Sequence, residues 1–254
     1  MTRTPTAAQV LGRVVLVTGK EEFLGERTVA SVRAAVRGHD AEAEVSETRA
    51  SELSPASLGE LSAPSLFSAT RCVVVRGLED LPEESQDGLL SYCAEPVEDV
   101  ALVLVHGGGP RGSGVLAKLR KMAGVTEVKS EEVKASRLPD FVSGEVASHG
   151  GRIERDAADA LVQAVGHDLR SLAAACHQLA NDFPGEPLTV EKIGRYFGGR
   201  AEAKSFAVAD AAFAGRRAQA LEELRWALDG GTPPVLVTSY RTAPGSRRRR
   251  MVAG

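Results

Sequence analysis

Val14-Val15-Leu16-Val17-Thr18-Gly19-Lys20-Glu21-Glu22 is the stretch whose reading decides the fold. Four consecutive apolar residues end at Thr18-Gly19. A run that does not alternate apolar with polar reads as a strand buried on both faces, and such a strand needs helices above and below its sheet. Leu24, Val29, Val32 and Val36 then recur at helical spacing, which predicts a helix over 22–37. Strand, glycine turn and helix in this order are the opening of a parallel α/β domain.

Working outward, the pattern repeats. A weak second strand is expected at 43–45 and a short helical turn at 55–61. Further strands are expected at 72–75, 101–105 and 125–128. Helices are expected over 83–93 and 113–122, the latter with Ser113 as N-cap. From about Ala135 helical periodicity replaces the continuous runs. Helices are expected over 138–148, 156–165 and 168–180, and over 190–197 with Thr189 as N-cap and Gly198-Gly199 as the stop. A further helical pair is expected over 205–213 and 217–228. The expected organisation is an α/β domain over 10–134, a helical domain over 135–200, an incomplete helical domain over 201–238 and a disordered basic tail over 239–254, which contains four arginines at 247–250.

Composition narrows the function. Hydrophobic residues make up 43% of the 254, enough for a real core, and with aromatics at 4% that core is small and aliphatic. A net charge of −3 does not suit a protein that holds nucleic acid by its overall charge. Cys72, Cys93 and Cys176 are scattered, which excludes a four-ligand zinc site and fits a reducing cytoplasm. The apolar runs are too short to span a bilayer, so no membrane association is expected.

The loop after the first strand is where phosphates would bind. A phosphate loop presents glycine N–H groups and a lysine to the phosphates, and a Ser or Thr after the lysine to magnesium. Gly19-Lys20 fits, but Val14 stands where the upstream glycine belongs and Glu21 replaces the Ser or Thr. A carboxylate there repels phosphate. The strand at 72–75 ends in Arg76-Gly77 rather than in the acid that would hold magnesium, while Glu79 and Asp80 come later and read as a solvated loop. His106 reads as a loop-exposed histidine, and Gly107-Gly108-Gly109-Pro110 as a flexible turn rather than a phosphate cradle. Gly19, Lys20 and Glu21 are therefore a degenerate loop, and no cofactor, metal or catalytic residue is expected.

Three phrases carry a resemblance. Leu16-Val17-Thr18-Gly19-Lys20-Glu21-Glu22-Phe23-Leu24, Ser65-Leu66-Phe67-Ser68-Ala69-Thr70-Arg71-Cys72-Val73-Val74-Val75 and Gly166-His167-Asp168-Leu169-Arg170-Ser171-Leu172 resemble, in order and spacing, the delta subunits of bacterial DNA polymerase III clamp loaders. The resemblance covers about residues 12 to 238. It implies an AAA+-like parallel-sheet domain, a helical lid, and a helical collar that joins a ring of five subunits. It implies binding of the sliding clamp (beta subunit) through Ser65, Leu66 and Phe67, and opening of that clamp with no ATP hydrolysis by this chain. The implied partners are the gamma/tau and delta prime subunits and primed DNA. The chain would then be a cytoplasmic subunit of a DNA-directed DNA polymerase, a nucleotidyltransferase complex, without a catalytic site of its own.

On their residues alone, Leu66 and Phe67 fit either a core tuck or an exposed anchor, and the resemblance points to the anchor. Arg170 reads as a surface or ion-paired arginine near Asp168. Arg111, Lys118, Arg120, Lys121 and Lys129 form either a solvated face or a DNA-facing patch. The family's collar would continue beyond Ser239, so a broken reading frame is expected there. Phe206, Phe213, Leu221, Leu224 and Trp226 are then expected to lose packing surface. Two other readings stay open: an AAA+ ATPase with an irregular nucleotide site, and an α/β adaptor unrelated to replication.

Overall fold

The computed structural model describes residues 5–54 and 70–229, and the side chains of 198–207, 209 and 229 lie outside that description. Two compact units part between Val133 and Lys134.

The first unit is a five-stranded sheet: β1 (Arg13–Thr18), β2 (Glu44–Arg49), β3 (Arg71–Arg76), β4 (Val100–His106) and β5 (Val125–Lys129). Their order is β2-β3-β4-β1-β5, and every pairing is parallel. Helices α1 (Glu22–His39), α2 (Glu83–Ala94) and α3 (Ser113–Leu119) connect them. β1 has strand neighbours on both sides, with Leu16 opposite Leu104 and Glu127. Because alternate side chains point to opposite faces, the apolar run serves two cores. Val14 and Leu16 join Leu89, Leu102 and Leu119 in one. Val15 and Val17 join Val29, Val32, Val36 and Val74 on the α1 side.

The second unit comprises α4 (Leu138–Ser148), α5 (Arg155–Val165), α6 (Leu169–Asp182), α7 (Val190–Phe213) and α8 (Arg217–Asp229). Two-residue strands β6 (Arg152–Ile153) and β7 (Pro187–Leu188) pair in parallel. Val142, Leu161, Leu172, Leu179, Ile193 and Phe197 are buried at its centre. Asp168 caps α6, its carboxylate accepting the Ser171 N–H at 2.7 Å.

Several expectations need correction. β2 is longer than expected and more polar: as an edge strand it is half exposed, so apolar continuity marks only its beginning. Ser113 is the first helical residue of α3, and left-handed Gly112 (φ 68°) occupies the cap position. Gly198-Gly199 does not stop α7, which runs 24 residues to Phe213. A glycine stops a helix by turning left-handed, and Gly215 (φ 71°) does so here; a glycine that stays helical costs about 1 kcal/mol without breaking it. The expected turn at 55–61 and the residues from 230 onward, including the basic tail, lie outside the described residues.

Candidate functional site

The β1–α1 loop folds back on its own sheet. Gly19 N–H donates to the His106 carbonyl at 3.1 Å, and Glu21 N–H donates to the Ser130 carbonyl at 2.9 Å. Ser130 N–H in turn donates to the Thr18 carbonyl at 2.6 Å. Two N–H groups of this loop are thus spent on neighbouring strand ends. Gly19 sits at φ 140°, where an added Cβ would meet the Ser130 carbonyl oxygen at 2.0 Å. On its other side Gly108 packs against it, and a Cβ on Gly108 would lie 3.0 Å from the Gly19 backbone.

The N-terminus of α1, the ordinary seat for an anion, is occupied by the chain itself. Glu21 is the N-cap, and its carboxylate accepts the Phe23 N–H at 3.1 Å. The cleft beside it, about 320 Å³, is large enough for a small ligand but is lined by Glu21, Glu22 and Glu26 as well as by Lys20 and Arg76. Lys20 is exposed. Arg76, at the end of β3, is committed to carboxylates: it donates to both oxygens of Glu26, at 2.5 and 3.0 Å, and pairs with Glu47. Glu47 also pairs with Arg33. The Arg76 guanidinium, helped by Arg33, holds the Glu47 carboxyl below the usual carboxylate range. Gly19, Lys20 and Glu21, which sequence reasoning groups as a degenerate loop, thus stand together at this cleft, with the Gly19 and Glu21 N–H groups and the Glu21 carboxylate bonded within the chain and Lys20 exposed.

His106 is not an exposed loop residue. It is buried at the tip of β4. Its Nδ1 accepts the Gly108 N–H at 2.9 Å, so its ring hydrogen sits on Nε2 and is donated to the Arg111 carbonyl at 2.8 Å. Nor is Glu79 merely solvated: its carboxylate accepts the Gly107 N–H at 3.1 Å, while Asp80 pairs with Arg111 at 3.0 Å. Two N–H groups of the 107–110 turn, those of Gly107 and Gly108, are thus bonded to side chains. The signal in the sequence is a histidine directly continuing a buried run, next to glycines that allow close approach.

Ser65, Leu66 and Phe67 lie outside the described residues. The chain on either side is firmly held. Leu53 is buried and its carbonyl accepts the Ser85 hydroxyl at 2.7 Å; Thr70 is buried and its carbonyl accepts the Glu44 N–H at 3.1 Å. Arg170 is exposed in the first turn of α6. Of the basic residues, Arg111 pairs with Asp80, Arg120 bidentately with Glu127, and Lys129 with Glu131 at 3.7 Å, while Lys118 and Lys121 are exposed. In α7 and α8, Phe213, Leu221 and Trp226 are 77%, 66% and 62% exposed. Among the described residues no helix is long and apolar enough to cross a membrane, and no group of three or more His, Cys, Asp or Glu is placed to hold a metal ion.

No protein-family model matches the chain, and no curated protein matches it. Among solved structures it is similar to the Bacillus subtilis DNA clamp loader delta protein (YqeN), with 20% identity and a TM-score of 0.63, over 90% of this chain and 71% of that one. A looser likeness joins it to the Thermotoga maritima RuvB Holliday junction branch migration motor, with 14% identity and a TM-score of 0.42, over 90% of this chain and 77% of that one. Another joins it to a DNA polymerase III, gamma subunit-related protein from Thermotoga maritima, with 13% identity and a TM-score of 0.37, over 76% and 73%. The parallel sheet and its helices are thus a fold shared with that clamp loader delta protein.

Proposed function

We propose that this chain is a clamp-loader subunit that binds the sliding clamp through Ser65, Leu66 and Phe67 and opens it without hydrolysing ATP. The observation that carries the reading is the fold shared with a clamp loader delta protein over 90% of the chain. The β1–α1 loop supports the second half of it. Glu21 caps α1 where a phosphate would sit, and the Gly19 and Glu21 N–H groups are bonded to the His106 and Ser130 carbonyls. With no nucleotide chemistry, the chain can act only by binding an open clamp better than a closed one. Residues 10–134 would be the clamp-binding domain, 135–200 the lid and 201–238 a partial collar facing gamma/tau and delta prime, with primed DNA bound by the assembled complex in the cytoplasm.

The test is binding to a purified bacterial sliding clamp. Each of Leu66 and Phe67 would contribute roughly 1.5–3 kcal/mol on burial. Leu66→Ala/Phe67→Ala should therefore weaken binding by on the order of a hundredfold or more, with stability unchanged. Normal clamp binding by the double variant would refute the reading. The competing reading, an ATPase with an irregular site, requires phosphates to displace Glu21 from its own helix.

A further inference from the structure

We propose that His149 and His177 chelate a divalent transition-metal ion between the end of α4 and the middle of α6. Their ring centroids are 4.7 Å apart, with the ring planes at 66°. With metal–nitrogen bonds of about 2.1 Å, two imidazoles at right angles on one ion have centroids roughly 4.6 Å apart, against roughly 5.3 Å at the tetrahedral angle. The observed separation suits a cis pair on a square-planar or tetragonal ion, Ni²⁺ or Cu²⁺ rather than Zn²⁺. Both side chains are exposed, so an ion reaches them from solvent.

Three features favour a cation at this place. First, His177 is in the form that a metal needs. Asn181 Nδ2 lies 3.1 Å from His177 Nε2; an amide nitrogen only donates, so Nε2 carries the lone pair, as ligation requires. Turning that amide over offers its oxygen to the ion instead. Second, His149 is the C-cap of α4, whose last turn holds no basic residue. The negative end of the helix dipole is there to be answered by a cation. Third, a negative charge lies beneath. Glu145, one turn before His149, is buried. Burial foremost, and then the Glu145 carboxylate, raise the thiol of Cys176, the residue beside His177. The loop after His149 is held against α6: a Cβ on Gly151 would lie 2.9 Å from Val146 Cγ1 and 3.5 Å from the Ala180 Cβ. Among the described residues no third His, Cys, Asp or Glu completes the set, so the remaining positions fall to water and Asn181.

Calorimetric titration of the full chain with NiCl₂ at about pH 7.5, well above the ordinary histidine pKa, tests the proposal. Saturable binding of Ni²⁺ is expected, and none of Mg²⁺, which prefers oxygen ligands. His149→Gln and His177→Gln should each weaken Ni²⁺ binding by about tenfold or more, because a single imidazole loses the chelate. His39→Gln and His167→Gln, at exposed histidines outside the pair, should leave it unchanged. Two imidazoles must shed protons to bind, so affinity should fall by roughly a hundredfold per pH unit below about pH 6.5. If a glutamine variant fails to fold, that two-proton slope in the wild type still decides. A one-proton slope overturns the proposal, and so does equal weakening by all four variants or a chain that binds no Ni²⁺.

Discussion

Gly108 lies against Gly19 with no room for a side chain between them: a Cβ on Gly108 would come within 3.0 Å of the Gly19 backbone. The two glycines belong to the turns after β4 and β1, whose strands are paired from end to end.

Substitutions here should cost stability in a set order. Gly19→Ala is expected to be the most damaging, because its Cβ would overlap the Ser130 carbonyl oxygen at 2.0 Å, backbone against backbone. Gly108→Ala should cost roughly 1–3 kcal/mol from its left-handed φ of 78° and the tight contact. Gly150→Ala, also left-handed at 76° but with nothing within 4 Å, should cost only about 1–2 kcal/mol. Urea denaturation of the three variants measures the order.

Glu21→Ala should remove the α1 cap and lower stability by about 1 kcal/mol, without creating ATP turnover. Lys20→Ala should be neutral in both respects. Saturable ATPase activity in the purified chain, lost in Lys20→Ala, would contradict the self-capped loop.

Acid should loosen the first unit through two carboxylates. Arg76 foremost, with Arg33, lowers Glu47; Arg120 foremost, with the Thr18 hydroxyl, lowers Glu127. A carboxyl depressed in the folded state contributes its full stability above its unfolded value, about 4.3, and loses it as pH falls through the lower folded value. Both pairs are partly exposed, so each contribution is expected to stay under about 1 kcal/mol. Melting temperature should therefore decline below about pH 4.3. Arg76→Met and Arg120→Met should each flatten that decline, and a variant whose acid limb matches the wild type would rule out its pair.

The three thiols should be silent in the folded protein. All are free and buried, and burial raises Cys72 to about 11 and Cys93 and Cys176 to about 12. A thiolate-specific reagent at mildly alkaline pH should label none of them natively and all three in denaturant. Rapid native labelling at Cys176 would mean that the second unit opens locally.

The sheet is legible in the sequence because its central strands carry unbroken apolar runs: Val14 to Val17, Val73 to Val75 and Ala101 to Val105 all lie in strands. What stays hidden depends on partners distant in sequence. The polar half of β2 is a strand only because Thr48 lies opposite Val75. β6 and β7 are too short for any period and exist through each other. His106 is a local exception: its ring bonds the Gly108 N–H and the Arg111 carbonyl, backbone groups that residue types do not announce. Gly198-Gly199 reads as a stop because composition does not report φ. Nor do the loop's own residues announce that Gly19 and Glu21 bond across to the His106 and Ser130 carbonyls.

The strand order carries a consequence for the nascent chain. β1 is made first, yet it lies between β4 and β5, the two strands of this sheet made last. Until His106 has emerged, Val14 to Val17 have no neighbour to pair with, and at about 5–20 residues per second that interval is on the order of ten seconds. Throughout it an unpaired run of four apolar residues is open to water and to other chains. The segment that organises the finished sheet is therefore the one most in need of protection during synthesis.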